Sequence, residues 1–507
     1  MKKIISYILI LSFAFLSFAQ TPETKEIDNK NTNSSETKTN DTISNTNEKQ
    51  KKSEYEKKLE TLKYGLTSDI VTLVGELQSN DDLRFNDELK SIFSKDKNVK
   101  LKNSILAFFI VQKNDVLKTE VTEALVNFYD YGTEFLKACI QYLTELKVQD
   151  ATVIEALHKI IDENKTEIKE LAIIALGKLG SSEDAVYLTE VFKNDNDNEA
   201  TLNLIFKQAI MLALIDLHAN ETFDFLKEIA EDTYENAVVR ARAITALGKI
   251  GNTDAIEILI KAFEADDPLI REATVAGLSG FSNNAEVDDL LLQAFKDDYY
   301  KVRLKAIETA RESKNNLALP FILYRAKTDP EVAVKNLAIE TLAEFNDAES
   351  KDWLKEVFVD EKNRTDLRVK VAKELLKNDS DFIISEVEIA ISTTINDRQK
   401  KRFAYELGKN ISKIEDARLA MVCEQFLNDK ESAYKSIGLD MFQTNKFSEL
   451  IPLVQSIAED KKSGVLKARA ERLLEAMGVQ TNKDDENATE ETELEPKAKD
   501  DTTKKTE

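Results

Sequence analysis

Eight cations recur at one phase of this sequence: Lys169, Arg240, Arg271, Arg303, Lys335, Arg368, Lys400 and Lys467. Each stands three residues before a position that we use as an anchor for the repeat. The anchors are Ser104, Cys139, Ala172, Ala209, Ala243, Thr274, Ala306, Ala338, Val371, Phe403, Ser436 and Ala470, separated by 31 to 37 residues. A row of free cations along stacked helices would hold an acidic polymer or protein through charge-assisted hydrogen bonds. Paired instead with loop aspartates such as Asp266, Asp267, Asp297, Asp298 and Asp329, the same row would cap helix starts and fix the register between repeats. The anions lie at the matching phase, and both readings stand at this point. Tyr299 and Tyr300, beside Asp297-Asp298 in a loop, add two candidate contact residues, because interface hot spots favour tyrosine. The candidate partner-binding set is Arg240, Arg271, Arg303, Lys335, Arg368, Tyr299 and Tyr300.

Other reactive residue types are scarce. The chain has two histidines and two cysteines in 507 residues. Cys139 and Cys423 are too far apart to meet if each repeat touches only its neighbours, and Cys139 sits at an anchor, which implies a buried, inert thiol. His158 and His218 have no Cys, His or paired carboxylate at ligand spacing, so no metal site is expected. No glycine-rich phosphate loop, nucleophile elbow or Ser/His/Asp arrangement is present, and we expect no cofactor and no catalytic residue. The many acidic pairs are read as solvated helix faces and caps. Trp353, Leu354, Val357 and Phe358 form a helical stripe read as core. The net charge of −23 opposes binding to phosphate backbones, so nucleic acid is not an expected partner.

Positioning the cations requires long helices. In Val239–Phe281, small and apolar residues recur at i, i+3, i+4 and i+7, the spacing of a helix with one buried face. Gly248 and Gly251 are read as the end of one helix, and Asp266-Asp267-Pro268 as the end of the next and the start of its successor. With only 13 Gly and 6 Pro in the whole chain, the fold class is all-α. A period near thirty-three residues means that each helix pair must cover its apolar face with the following pair. The expectation is a right-handed α-solenoid of about twelve antiparallel helix pairs over residues 66–478. Helix layers pack ~8–10 Å apart, which would give a rod on the order of 100 Å long.

The pattern Asp-Asp-Pro-x-x-Val-Arg-x-x-Ala-x-x-Ala-Leu-Gly resembles HEAT repeats, in particular the short class also found in phycobilin lyases. The residues that carry it are Asp266, Asp267, Pro268, Ile270, Arg271 and Leu278, then Val302, Arg303 and Ala306. Pro320 and Pro452 fall in the opposite helix, where the resemblance implies a kink. It covers roughly residues 66–478 and implies the solenoid. For function it implies a non-catalytic scaffold that binds other proteins along the solenoid surface. A phycobilin-lyase-like enzyme, or a HEAT protein that binds a small ligand or glycan, is the alternative.

The ends differ in composition. Residues 1–19 have a short basic start, an apolar core and small residues before Gln20, the pattern of a cleaved export signal. That core is shorter than the roughly 20 residues of a membrane-spanning helix. Residues 20–50 read as a polar disordered linker, 51–65 as a helical cap or linker, and 479–507 as a disordered acidic tail. The expected location is outside the cytoplasm, in the periplasm or secreted, with no transmembrane segment in the mature chain.

Overall fold

The computed structural model describes residues 54–194, 200–281, 284–460 and 464–479. The expected export signal, the polar linker and almost all of the acidic tail lie outside them. Among the described residues there are 26 α-helices and no strand, as the low glycine and proline content implies. None of these helices is long and apolar enough to cross a membrane.

Contacts divide the chain into two units, Met1–Phe108 and Phe109–Glu507. In the first, a helix over 54–64 and the helices Thr67–Ser79 and Asn86–Lys95 bury Leu62, Leu73, Leu77, Phe85 and Phe93. Tyr55 stacks on Phe85 with ring centroids 4.9 Å apart. The Asp82 carboxylate accepts from the Arg84 guanidinium at 2.6 and 2.7 Å, which holds its pKa down at about 2 against the opposing effect of burial. Residues 54–64 thus contribute an apolar residue to a core.

In the second unit the anchor-bearing helices, from Thr133–Glu145 to Val465–Ala476, pack each on the next, and the helices between them form a second row. The reason lies at the anchors. Cys139, Ala172, Ala243, Thr274, Ala306, Ala338, Val371 and Ala470 are fully buried, and small side chains there let neighbouring helices approach closely. Three anchors are shifted from the expected positions. Ser104 and Ser436 are only partly buried, while Ile105 is fully buried and Gly438 lies so close to Leu427 that an added Cβ would come within 2.8 Å of its backbone nitrogen. Ala404 is 0% exposed and takes the place assigned to Phe403. The cation three residues before it is therefore Lys401, not Lys400.

Two local expectations are corrected. Gly248 does not end its helix: Ala237–Ile250 runs through it and stops at Gly251, which adopts the left-handed conformation (φ 73°) of a helix C-cap. Pro320 and Pro452 do not kink their helices. Both stand in the first turn, in Leu319–Thr328 and Ile451–Glu459, where the missing N–H of proline costs no helical hydrogen bond.

Cys139 and Cys423 are both fully buried and form no disulfide. Burial pushes the Cys423 thiol up to about 12, and its Sγ donates to the Gly438 carbonyl oxygen at 3.3 Å. Neither thiol should therefore react with a water-soluble thiol reagent at pH 8 until the repeats open. Titration with such a reagent is expected to count none in the folded protein and two in denaturant. Fast modification of either thiol in the folded chain would show that its repeat opens readily.

Candidate functional site

Arg240, Arg271, Arg303, Lys335 and Arg368 of the row, with Lys401, show three arrangements, while Lys400 pairs with Glu361 and Lys467 with Glu471. Arg271 reaches forward into the next repeat, where Nε and Nη2 donate to Asp297 at 2.7 and 3.0 Å, and its Nη1 donates to the carbonyl oxygens of Ala265 and Asp266. Arg303 repeats this one layer on, with Asp329 at 2.7 and 2.8 Å and the carbonyl oxygens of Asp297 and Asp298. Each aspartate also accepts from a backbone N–H two residues on, Tyr299 and Glu331, each the residue before the next helix, so it fixes the entry to that helix without capping its first turn. Lys401 likewise pairs with Asp429, which accepts from the Glu431 N–H, and also with the Glu431 carboxylate. Burial pushes the Asp297 and Asp329 carboxyls up, and the arginine hydrogen bond, the backbone N–H and the nearby guanidinium charges together outweigh it, leaving both below their ordinary value. The Arg271 and Arg303 guanidiniums are raised by the same bonds. Arg240 and Arg368 instead donate to carbonyls in the last turn of the preceding helix, Ala230 at 3.3 Å and Phe358 at 2.8 Å. The Arg368 guanidinium also lies 4.1 Å over the Phe403 ring, and burial depresses its pKa. Lys335 is half-buried and forms no ion pair among the described residues.

Of the remaining sequence candidates, Tyr299 and Tyr300 are half-buried with rings 5.4 Å apart, Tyr299 being the residue before the helix Tyr300–Glu312. Leu354, Val357 and Phe358 are buried, but Trp353 is not: it is half-exposed, with Lys327 Nζ 5.3 Å from its ring. The turn of Ala348–Val359 puts it at the edge of the buried stripe. His158 stacks on Tyr187 at 4.1 Å, and its Nε2 lies 2.7 Å from Asp184 Oδ1. His218 closes the helix Ala200–Leu217. Among the described residues no group of three His, Cys, Asp or Glu side chains is arranged to hold a metal ion.

The structure brings together a site that the spacing argument missed. A trough of about 830 Å³ crosses three successive anchor helices, Val332–Phe345, Thr365–Asn378 and Lys401–Ile411. Its lining carries Lys335, Arg364, Lys370, Lys373 and Arg402 with Asp366 and Glu406, and the apolar Val332, Leu367 and Val369. Arg364 pairs with Asp366 at 3.0 Å. Lys370 is held by Glu340 and by Glu374, and these bonds raise its pKa against the opposing effect of burial. Lys335, Lys373 and Arg402 form no ion pair among the described residues. Three unmatched cations therefore face one unmatched carboxylate, Glu406, on a chain whose net charge is −23. Only Lys335 belongs to the periodic row. Lys373 and Arg402 lie at other phases, and only the stacking of layers assembles the three.

An all-helical array of stacked pairs, with a small residue at each helix contact and an arginine–aspartate clamp joining layers, is a HEAT solenoid. The model of the spirochaete HEAT-repeat protein family matches residues 62–473, and the chain belongs to that family. Among curated proteins, deoxyhypusine hydroxylase of Drosophila melanogaster is 28% identical over 136 residues, which cover 27% of this chain and 40% of that protein. Among solved structures, the karyopherin Kap121p is similar at 11% identity and a TM-score of 0.35, over 87% of this chain and 55% of that one. Kap121p bound to Pho4p gives the same TM-score over 80% of this chain and 49% of that one. The chain thus spans about half the length of these solenoids, and less of the hydroxylase.

Proposed function

We propose that the protein is a non-catalytic interaction scaffold that binds another protein along the face of its anchor helices, and that it does so in the cell envelope. The observation that carries this reading is the trough over 332–410, where three cations of a strongly acidic chain have no ion-pair partner among the described residues and stand on adjoining layers. A repeat array suits the role because each layer adds one weak contact and many layers sum to useful affinity. The basic start and apolar core of residues 1–19 support export, and the periplasm is the proposed location. Arg240, Arg271, Arg303, Arg368 and the Tyr299–Tyr300 pair border the same row of helices, although Arg271 and Arg303 spend their donors on layer-to-layer contacts.

The enzymatic reading draws on the partial similarity to deoxyhypusine hydroxylase. The three cations without an ion-pair partner among the described residues, set on adjoining layers of an acidic chain, favour the scaffold.

The test is crosslinking in intact cells, capture of the chain from the isolated envelope, and mass spectrometry. A protein captured in fixed ratio, which then re-forms a complex with the purified chain, is the expected result. Copurification of a glycan, lipid or pigment in place of a protein would overturn the scaffold reading. Recovery of the chain in the cytoplasmic fraction would overturn its location.

A further inference from the structure

We propose that the trough over 332–410 is a docking site for an extended, acidic segment of a partner protein, with carboxylates about three residues apart and apolar side chains between them. This rests on the scaffold reading and gives its partner a chemistry.

Charge and spacing define the site. Lys335, Lys373 and Arg402 stand on three successive helices and have no partner among the described residues. Layers of packed helices are ~8–10 Å apart, and a segment extended in the polyproline-II conformation advances ~3.1 Å per residue and returns every third side chain to the same face. Carboxylates about three residues apart on an extended segment therefore meet one cation per layer. The same spacing on a helix, which rises ~1.5 Å per residue, would cover about half a layer. The lining also has apolar members: Val332, 68% exposed, and Leu367 and Val369. An acidic segment with apolar residues interleaved satisfies both features at once. A nucleic acid would bring one charge per nucleotide and must overcome the field of a chain at −23.

Glu406 has a place in this arrangement. It lies one turn after Arg402 on the same helix and is the single unmatched carboxylate of the lining. It disfavours a fourth acidic residue at that end and so sets the direction in which a segment with one acid-poor end would lie.

The experiment uses the purified full-length chain and a fluorescein-labelled twelve-residue peptide with Glu at every third position and Val or Leu among the intervening residues. A second peptide has Gln in place of each Glu. Fluorescence anisotropy is expected to show the Glu peptide binding at least tenfold more tightly than the Gln peptide at 50 mM salt, with the difference shrinking by 300 mM. The triple variant Lys335→Gln/Lys373→Gln/Arg402→Gln is expected to lose about tenfold for the Glu peptide and to keep its affinity for the Gln peptide. Glu406→Gln is expected to strengthen binding of the Glu peptide. All three changed cations are at least partly solvent-exposed, and unchanged circular dichroism and melting would exclude misfolding; a charge-reversing single variant, Lys373→Glu, provides a second check. Equal affinity for the two peptides, or for the wild type and the triple variant, would overturn the proposal. So would tighter binding of a single-stranded oligonucleotide of equal charge. If the triple variant still captures the envelope partner, the acidic-segment site fails while the scaffold reading survives.

Discussion

Arg303→Ala is expected to destabilise its part of the array by about 3 kcal/mol, the lower end of what removing one partner from a buried ion pair costs. Both side chains lie out of water: Arg303 is 6% exposed and Asp329 0%. Without the guanidinium, a buried carboxylate would keep only the Glu331 N–H at 3.0 Å and Arg325 at 3.5 Å. Those two contacts put the cost at the lower end. A long repeat array does not unfold in one step, so the measurement is hydrogen exchange at the amides of Tyr300–Glu312 and Leu319–Thr328. Protection there should fall while that of distant helices stays as it was. Arg303→Met with Asp329→Asn removes both charges and keeps an oxygen for the Glu331 N–H, so it should recover most of the loss. If the double variant is as weak as the single one, the buried charge is not the cause.

The pH dependence of the same pair has opposite signs in the two proteins. In the wild type the folded pKa of Asp329 is depressed. Its contribution is fully present above the unfolded value of about 3.9 and is lost as pH falls through the lower folded value. In Arg303→Ala, burial governs and places the folded pKa above the unfolded one. The folded state of the variant then binds the proton more tightly, so its stability rises as pH falls toward 4. The gap between the two proteins should therefore narrow on acidification. A gap that widens as pH falls from 7 to 4 would contradict this.

The second large effect concerns glycine. A methyl group at Gly248 would lie 2.5 Å from the Gly277 Cα and 2.5 Å from its carbonyl oxygen. Both atoms are backbone of the next layer and cannot turn aside. Gly248→Ala is expected to cost about 2–3 kcal/mol, at the high end for overpacking, since one helix must shift as a whole. At Gly75, exposed in the middle of Thr67–Ser79, an added Cβ meets nothing within 4 Å. There the same change should gain about 0.5–1 kcal/mol from helix propensity. Melting of the two variants gives the comparison. Equal effects would mean that the layers at Gly248 adjust freely.

Residue periodicity made the repeat legible because a helix with one buried face must place small and apolar residues every three to four positions, whatever its neighbours are. The anchors Ala243 and Ala306 followed from that alone. Phe403 and Ala404 were ambiguous, as both are apolar and adjacent, and a one-residue shift leaves the pattern intact. Only the packed layer separates them, because Ala404 is fully covered while Phe403 lies under the Arg368 guanidinium. That shift also moved the clamp from Lys400 to Lys401. Gly248 read as a helix stop because glycine is a helix breaker on its own. Against Gly277 it is instead the residue that allows two helices to touch.

What the sequence by itself determined is the architecture: the all-helical class, the period near thirty-three residues, the HEAT kinship and the charge balance of possible partners. These rest on local spacing and composition, which no tertiary contact can alter. Tertiary structure decided which cations are occupied and which are available. Arg271 and Arg303 look the same as Lys335 in the periodic row, yet the first two clamp an aspartate 26 residues on and the third does not. Lys335, Lys373 and Arg402 share no phase and become neighbours because packing lays three helices side by side. Charge pairing depends on distances of a few ångströms between layers, and these are set by how helices pack and not by their order along the chain.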